Sequence, residues 1–326
     1  NTTGVSNVAM GSFALQNNTV GHSNVALGVN AMNVNTTGIN NIGVGRNALR
    51  YNTTGVENTA VGYDALRANT TGQQNVAVGT YSLDANTTGK HNTAIGWSSM
   101  SNNISGNANT AVGMYSLVAN TIGTQNISIG FQNLYKNTTG VRNTAVGYQA
   151  MYETTIGINN VAVGSDALRA NTTGGYNAAV GHAALRNNTT GQYNVAMGAY
   201  SLDANTIGQE NTAVGNEALQ LNTTGAYNTA LGHRALEANT TGQYNTSIGN
   251  NALRANTIAG YNVAVGQEAL RYNTTGASNT AVGRQALYTN TIGTLNTAVG
   301  AYALKTNVTG QQSTAVGYYA LFNNTA

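Results

Sequence analysis

Along this chain a bulky aliphatic side chain returns every 17 residues, at Leu15, Met32, Leu49, Leu66, Leu83 and Met100, and the column stays Leu or Met to the end. Five residues ahead of it runs a second column that is aliphatic throughout, in Val44, Val61, Val78, Ile95 and Val112. Two glycine columns keep the same step. One passes through Gly4, Gly21, Gly38 and Gly55 and lapses only at Ala259, where the glycine slips to Gly260. The other, through Gly45, Gly62 and Gly79, has no lapse. The consensus is N-T-T-G-x-x-N-T-A-V-G-x-x-A-L-x-x, numbered here as slots 1 to 17; it fits the 326 residues 19 times with three left over. Residues 1–326 therefore read as a single continuous repeat domain.

A period this short cannot hold two packed helices, and the chain has no proline. It suits one winding of an all-β parallel β-solenoid, a β-roll of about 19 coils in which each coil pairs with the next. At the ~4.8 Å strand spacing such a stack is roughly 90 Å long. Slots 7 to 11, N-T-A-V-G, read as the strand. Side chains alternate along a strand, so slots 8 and 10 share one face and slots 9 and 11 the other. The first face is β-branched or aliphatic and the second is Ala and Gly almost throughout. Stacked coils give every slot its own lengthwise row, and the rows of Val44, Val61 and Val78 and of Leu49, Leu66 and Leu83 are expected to avoid water. Since a thin coil encloses only one strand face and neither face carries charge, the other needs a second surface over it, and a further copy of the chain is the expected cover.

The segment G-x-x-A-L-x-x-N reads either as a second short strand or as one helical turn. Asp64/Arg67, Asp166/Arg169 and Glu268/Arg271 stand three residues apart, which leans towards the helical turn. Asn recurs at slot 1 (Asn35, Asn52, Asn69) and slot 7 (Asn41, Asn58, Asn75). Amides stacked one coil apart can hydrogen-bond along their column, and Asn tolerates unusual corner geometry. These Asn columns, with Gly45, Gly62, Gly79 and the Val and Leu rows, are structural ladders.

Composition narrows function mainly by exclusion. Only 7% of residues are charged and the net charge is +3, too little for a nucleic-acid track. Arg50, Arg67, Arg169, Arg186, Arg254, Arg271 and Lys305 share slot 16, but Asp84, Asp203 and Glu237 interrupt them. Without cysteine there is neither a disulfide framework nor a thiolate metal site, and no apolar run approaches a membrane span. The ten carboxylates scatter over variable slots, and so do His22, His91, His182 and His233. No phosphate-loop motif and no recurring Asp for calcium occur. The chain is therefore expected to be no enzyme and to need no cofactor or metal. Slot 6 becomes Tyr176, Tyr193, Tyr227, Tyr244 and Tyr261 in the later coils. Such a stripe suits the binding of sugar rings or a neighbouring fibre; an aromatic ladder that stiffens the coil stack or seals an interchain seam is the leading reading, because aromatic ladders suit β surfaces. The N-T-T corner is also a glycosylation sequon, as in Asn52-Thr53-Thr54, which matters only where the Asn side chain faces out.

The stretch N-T-A-V-G-x-x-A-L, as in Asn58-Thr59-Ala60-Val61-Gly62, resembles the S-V-A-I-G-x-x-A repeats of YadA-like heads in trimeric autotransporter adhesins. The full N-T-T-G-x-x-N-T-A-x-G-x-x-A-L form also resembles repeats of bacterial and phage tail-fibre-domain proteins. The resemblance covers the whole chain. It implies a left-handed β-roll, a homotrimer of chains side by side, an extracellular place on a cell or virion surface, and binding to host matrix, a receptor or surface glycans. This coil is longer than the YadA head repeat, and no neck, stalk, membrane anchor or chaperone domain is visible.

The leading function is a structural or adhesive fibre or filament protein that associates with copies of itself side by side, end to end, or both. The chain starts at slot 1 and stops at slot 3 without a polar cap, as a segment of a longer solenoid or a filament subunit would. The alternative is an ice-binding solenoid using Thr ladders. Slots 2 and 3 would then point to opposite faces of a strand, and slot 3 is broken by Val20, Ile122, Ile156, Ile207, Ile258 and Ile292.

Overall fold

Residues 2–324 are described by a computed structural model. The architecture is an all-β parallel β-solenoid with one three-residue strand per 17-residue coil and no helix among the described residues. The chain divides into two compact units, residues 1–160 and 161–326. The first holds nine strands, from β1 (Val8–Met10) to β9 (Thr144–Val146), and the second ten, from β10 (Val161–Val163) to β19 (Thr314–Val316). Within each unit, successive strands pair in parallel with a register of one full repeat. In the first unit Thr59, Ala60 and Val61 face Val76, Ala77 and Val78; in the second Thr212, Ala213 and Val214 face Thr229, Ala230 and Leu231. The strand occupies slots 8 to 10, one residue shorter at each end than the sequence reading.

Outside the strands the backbone still bonds along the stacking axis. Leu66 donates its N–H to Ser82 O at 2.9 Å, and Gly62 donates to Val44 O at 2.8 Å. At slot 2 one carbonyl collects several donors: Thr70 O accepts from the amides of Thr53, Thr54 and Gly55 at 3.0, 3.1 and 3.2 Å, and from Thr53 Oγ1 at 3.0 Å. Main-chain polar groups buried between coils are thereby satisfied without long strands.

The G-x-x-A-L segment is neither a strand nor a helical turn. Its residues at slots 13 and 15 take left-handed backbone angles in coil after coil, as at Asp64 (φ 53°) and Leu66 (φ 50°), and slot 6 does the same, as at Glu57 (φ 57°). This is costly geometry for a side chain such as Leu, and a periodic stack has to over-determine it. It turns the chain sharply enough to aim slot 15 inward, where Leu49, Leu66, Leu83 and Met100 are fully buried. The pairs Asp64–Arg67 and Asp166–Arg169 form at 3.6 and 3.3 Å, and Glu268–Arg271 also forms, so their spacing marked a tight turn and not a helix. At slot 11, Gly62 has φ 140°, and a Cβ there would lie 2.6 Å from Gly79 O, so this column admits only glycine.

Both Asn columns are ladders, as expected. Along slot 7, Asn58 Nδ2 donates to Asn41 Oδ1 and Asn75 Nδ2 to Asn58 Oδ1, each at 3.1 Å. Each also reaches a slot-4 carbonyl, as Asn58 does at Gly72 O, 2.9 Å. Along slot 1, Asn52 Nδ2 donates to Asn35 Oδ1 at 2.8 Å and to Gly55 O at 3.1 Å. The slot-4 carbonyl is thus the common anchor. Where slot 4 is Ala259, that carbonyl still accepts from Asn245 and Asn256, at 2.9 and 3.0 Å.

Candidate functional site

The core is assembled from small parts. In the inner coils slot 9 (Ala60, Ala77, Ala94), slot 14 (Ala48, Ala65) and slot 15 (Leu49, Leu66, Leu83) are fully buried, together with both Asn ladders. Little room is left: at Gly43, in slot 9, an added Cβ would meet Met32 Cε at 3.3 Å and Ala48 O at 3.2 Å. The tiny strand face is therefore the inner one.

This corrects the expectation for the valine row. Val44, Val61 and Val78 do stack in register, but on the outside, with Val61 37% exposed and Val44 and Val78 half-buried. The physical reason is thickness, since slot 9 must pack directly on slots 14 and 15 and only Ala, Ser or Gly fits there. The Leu row is buried as expected. Slot 8 accompanies slot 10 outward, through Ile42 and Ile127 in the first unit and Val161 in the second. Each unit consequently shows an uncharged file of Thr, Val, Ile, Met and Leu along its strands. Lone exposed aliphatics are ordinary, but a contiguous file of them marks an interaction surface.

A second surface is the slot-6 stripe in residues 161–326. Tyr176 and Tyr193 stack with ring centroids 5.0 Å apart and 13° between planes. Tyr227 stacks on Tyr244 at 4.8 Å and Tyr244 on Tyr261 at 5.1 Å. All five rings are exposed. The stripe is divided by Glu210, which holds slot 6 between Tyr193 and Tyr227, and a shallow hollow of about 420 Å³ is lined by Tyr193 and Glu210. Other ladders escaped the sequence reading. Tyr135 and Tyr152 stack at 4.9 Å in slot 16, and Phe131 and Tyr148 at 5.5 Å in slot 12. Recurrence of an aromatic in one slot of adjacent coils would have found them.

The slot-16 charges also resolve. Asp84 is not a random interruption of the basic column but the partner of Arg67 (3.0 Å), Asp203 pairs with Arg186 (3.0 Å), and Glu237 with Arg254 (2.5 Å). Burial nevertheless pushes the Asp84 and Asp203 carboxyls above their usual range, outweighing the nearby guanidinium in each case. Among the described residues no three His, Cys, Asp or Glu side chains gather as a metal site, and no helix is long and apolar enough to cross a membrane. His182 lies edge-on to Tyr200 at 5.1 Å, and His233 Nδ1 faces Asn250 Nδ2 at 3.3 Å. Asn52, the sequon example, is fully buried in its ladder and offers no amide for a glycan.

No protein-family model matches this chain, and no curated protein matches it either.

Proposed function

We propose that this chain is a structural or adhesive element of an extracellular fibre or filament on a cell or virion surface, and that it binds copies of itself along the slot 8 and slot 10 face. The observation that carries this reading is the uncharged aliphatic file outside every coil. Slots 8 and 10 leave on the order of 100 Å² per coil uncovered, so nine coils present roughly 900 Å², close to the ~800 Å² per partner of a stable interface. Charge supplies no barrier to self-association, because the file has none and the ionised side chains are mostly neutralised in pairs elsewhere on the coil. Uniform coils suit a load-bearing shaft, since recognition of a receptor or host matrix usually sits on irregular loops. The likeness of the repeat to YadA-like heads and tail-fibre repeats supports the same reading and favours a trimer over other side-by-side arrangements. Electron microscopy of the purified chain tests it: slender multi-chain rods or filaments are expected, and isolated single-chain particles at micromolar concentration would oppose it.

Ice binding stays as a second reading on one observation, the exposed slot-3 file with residues such as Thr54 and Thr71. Against it, the slot-2 hydroxyls are committed to the coil stack, as in Thr53 Oγ1 to Thr70 O, and Ile122, Ile156 and Ile207 interrupt slot 3. Thermal hysteresis of the folded chain decides between the two.

A further inference from the structure

The tyrosine stripe of residues 161–326 has a gap one coil wide, and the residue in the gap is unusual. Each of the other nine carboxylates in the chain has a partner. Asp64, Asp84, Glu153, Asp166, Asp203, Glu217, Glu237 and Glu268 take an Arg or Lys, and Glu57 accepts from Gln74 Nε2 at 2.8 Å. Glu210 alone has no side-chain partner among the described residues, and it is exposed in the hollow beside Tyr193. The comparison with Glu57 is informative because both occupy slot 6 with the same left-handed backbone (φ 57° and 56°), so the coil itself does not prevent pairing at that slot.

Geometry sets what fits. Neighbouring slot-6 rings stack at 4.8 to 5.1 Å. Tyr193 and Tyr227 are two coils apart, roughly 9.6 Å at the strand spacing, and the Glu210 side chain stands in the row between them, so the open space is the hollow over Tyr193 and Glu210. A methylated ammonium group suits that hollow, attracted by the electron-rich Tyr193 ring and by the unpaired carboxylate beside it. A sugar ring could also stack on Tyr193 and donate a hydroxyl to Glu210, but only a cation gains from the full charge of the carboxylate, and the test below reads that difference. We infer that Tyr193 and Glu210 form a binding slot for an organic cation of the quaternary-ammonium class. The slot is independent of the fibre reading, since it lies on the slot-6 corner and not on the aliphatic file.

Titration of the folded chain with tetramethylammonium chloride at constant ionic strength, followed by the ring resonances of its tyrosines, tests the assignment. Saturable shifts centred on Tyr193 are expected, with an affinity in the millimolar range because the site is open. Glu210→Gln should weaken binding roughly three- to fivefold, as loss of one exposed charge does. Tyr193→Ala should abolish it, whereas Glu57→Gln should leave it unchanged. Circular dichroism of each variant separates loss of the slot from loss of the fold, and the Gln variant, which keeps shape and polarity, carries the test should Tyr193→Ala unfold. Absence of saturation overturns the assignment. So does equal binding by the neutral near-isostere tert-butanol or by methyl glucoside, or indifference of the affinity to Glu210→Gln.

Discussion

At the scale of single residues, the buried amides have the most to lose. Asn58 Nδ2 donates to Asn41 Oδ1 and Gly72 O, while its Oδ1 accepts from both Asn75 N and Asn75 Nδ2. Replacing it by Asp keeps the acceptor but sets a carboxylate against two oxygens. Asn58→Asp is therefore expected to destabilise more than Asn58→Ala, itself costing about 1–3 kcal/mol through unsatisfied partners, as read by denaturant unfolding. One natural position shows the opposite opportunity. Thr154 replaces Asn in slot 1, its buried hydroxyl has no partner, and neither does Asn137 Oδ1 in the preceding coil. Thr154→Asn restores the donor and is expected to raise stability by about 1 kcal/mol. A pH effect follows from Asp84 and Asp203. Because burial raises their folded-state pKa above the unfolded value, the stability they confer is fully present below the unfolded pKa and is lost as pH rises through the folded one. Unfolding midpoints should therefore show a small gain on acidification from neutral towards pH ~4, and the double variant Asp84→Asn, Asp203→Asn should lose that part of the slope.

At the scale of the coil, the sequence was legible wherever a slot's identity reports a local need. Period, strand position, the buried Leu column and both Asn ladders could all be read from recurrence alone. The inner face of the strand could not be read from hydrophobicity, which points to valine. A better signal was variance in size. Slot 9 accepts only Ala, Ser and Gly, as a confined position must, while slot 10 ranges over Val, Ile, Leu and Met and slot 8 over Thr, Val, Ile and Ala, as uncrowded positions can. The corner at slots 12 to 17 was opaque for another reason, because propensities do not foresee Leu in the left-handed region. Paired substitutions in one strand check the orientation. Ala77→Val overpacks the interior and is expected to cost at least 1–3 kcal/mol, whereas Val78→Ala on the half-buried outer face should cost under about 1 kcal/mol in the isolated chain. Gly62→Ala should be worse than either, since left-handed strain of about 1–3 kcal/mol adds to the overlap with Gly79 O.

At the scale of the whole molecule, regularity makes the surface one-dimensional: any side chain that faces outward in one coil faces outward in its neighbours. A single exposed valine is neutral, but a file of them is an adhesive edge that natural solenoids rarely leave bare. The tyrosine stripe could be read from recurrence alone, whereas the outward aliphatic file became visible only once the coil's interior was assigned. Their chemistry had been on display in slots 6, 8 and 10 throughout.

The central proposal is that slots 8 and 10, which lie outside the coil, form a face that a second copy covers. Sedimentation equilibrium tests it most directly, on the native chain and on a variant carrying lysine in alternate coils of both units, at Val44, Val78, Val112, Val146, Val180, Val214, Ile248, Val282 and Val316, so that no two lysines face each other across paired strands. The native chain is expected to associate with rising concentration, and the lysine variant to keep its far-ultraviolet spectrum while sedimenting as a monomer. A native chain that stays monomeric at all concentrations, or a variant that unfolds because slot 10 was interior after all, would contradict the account.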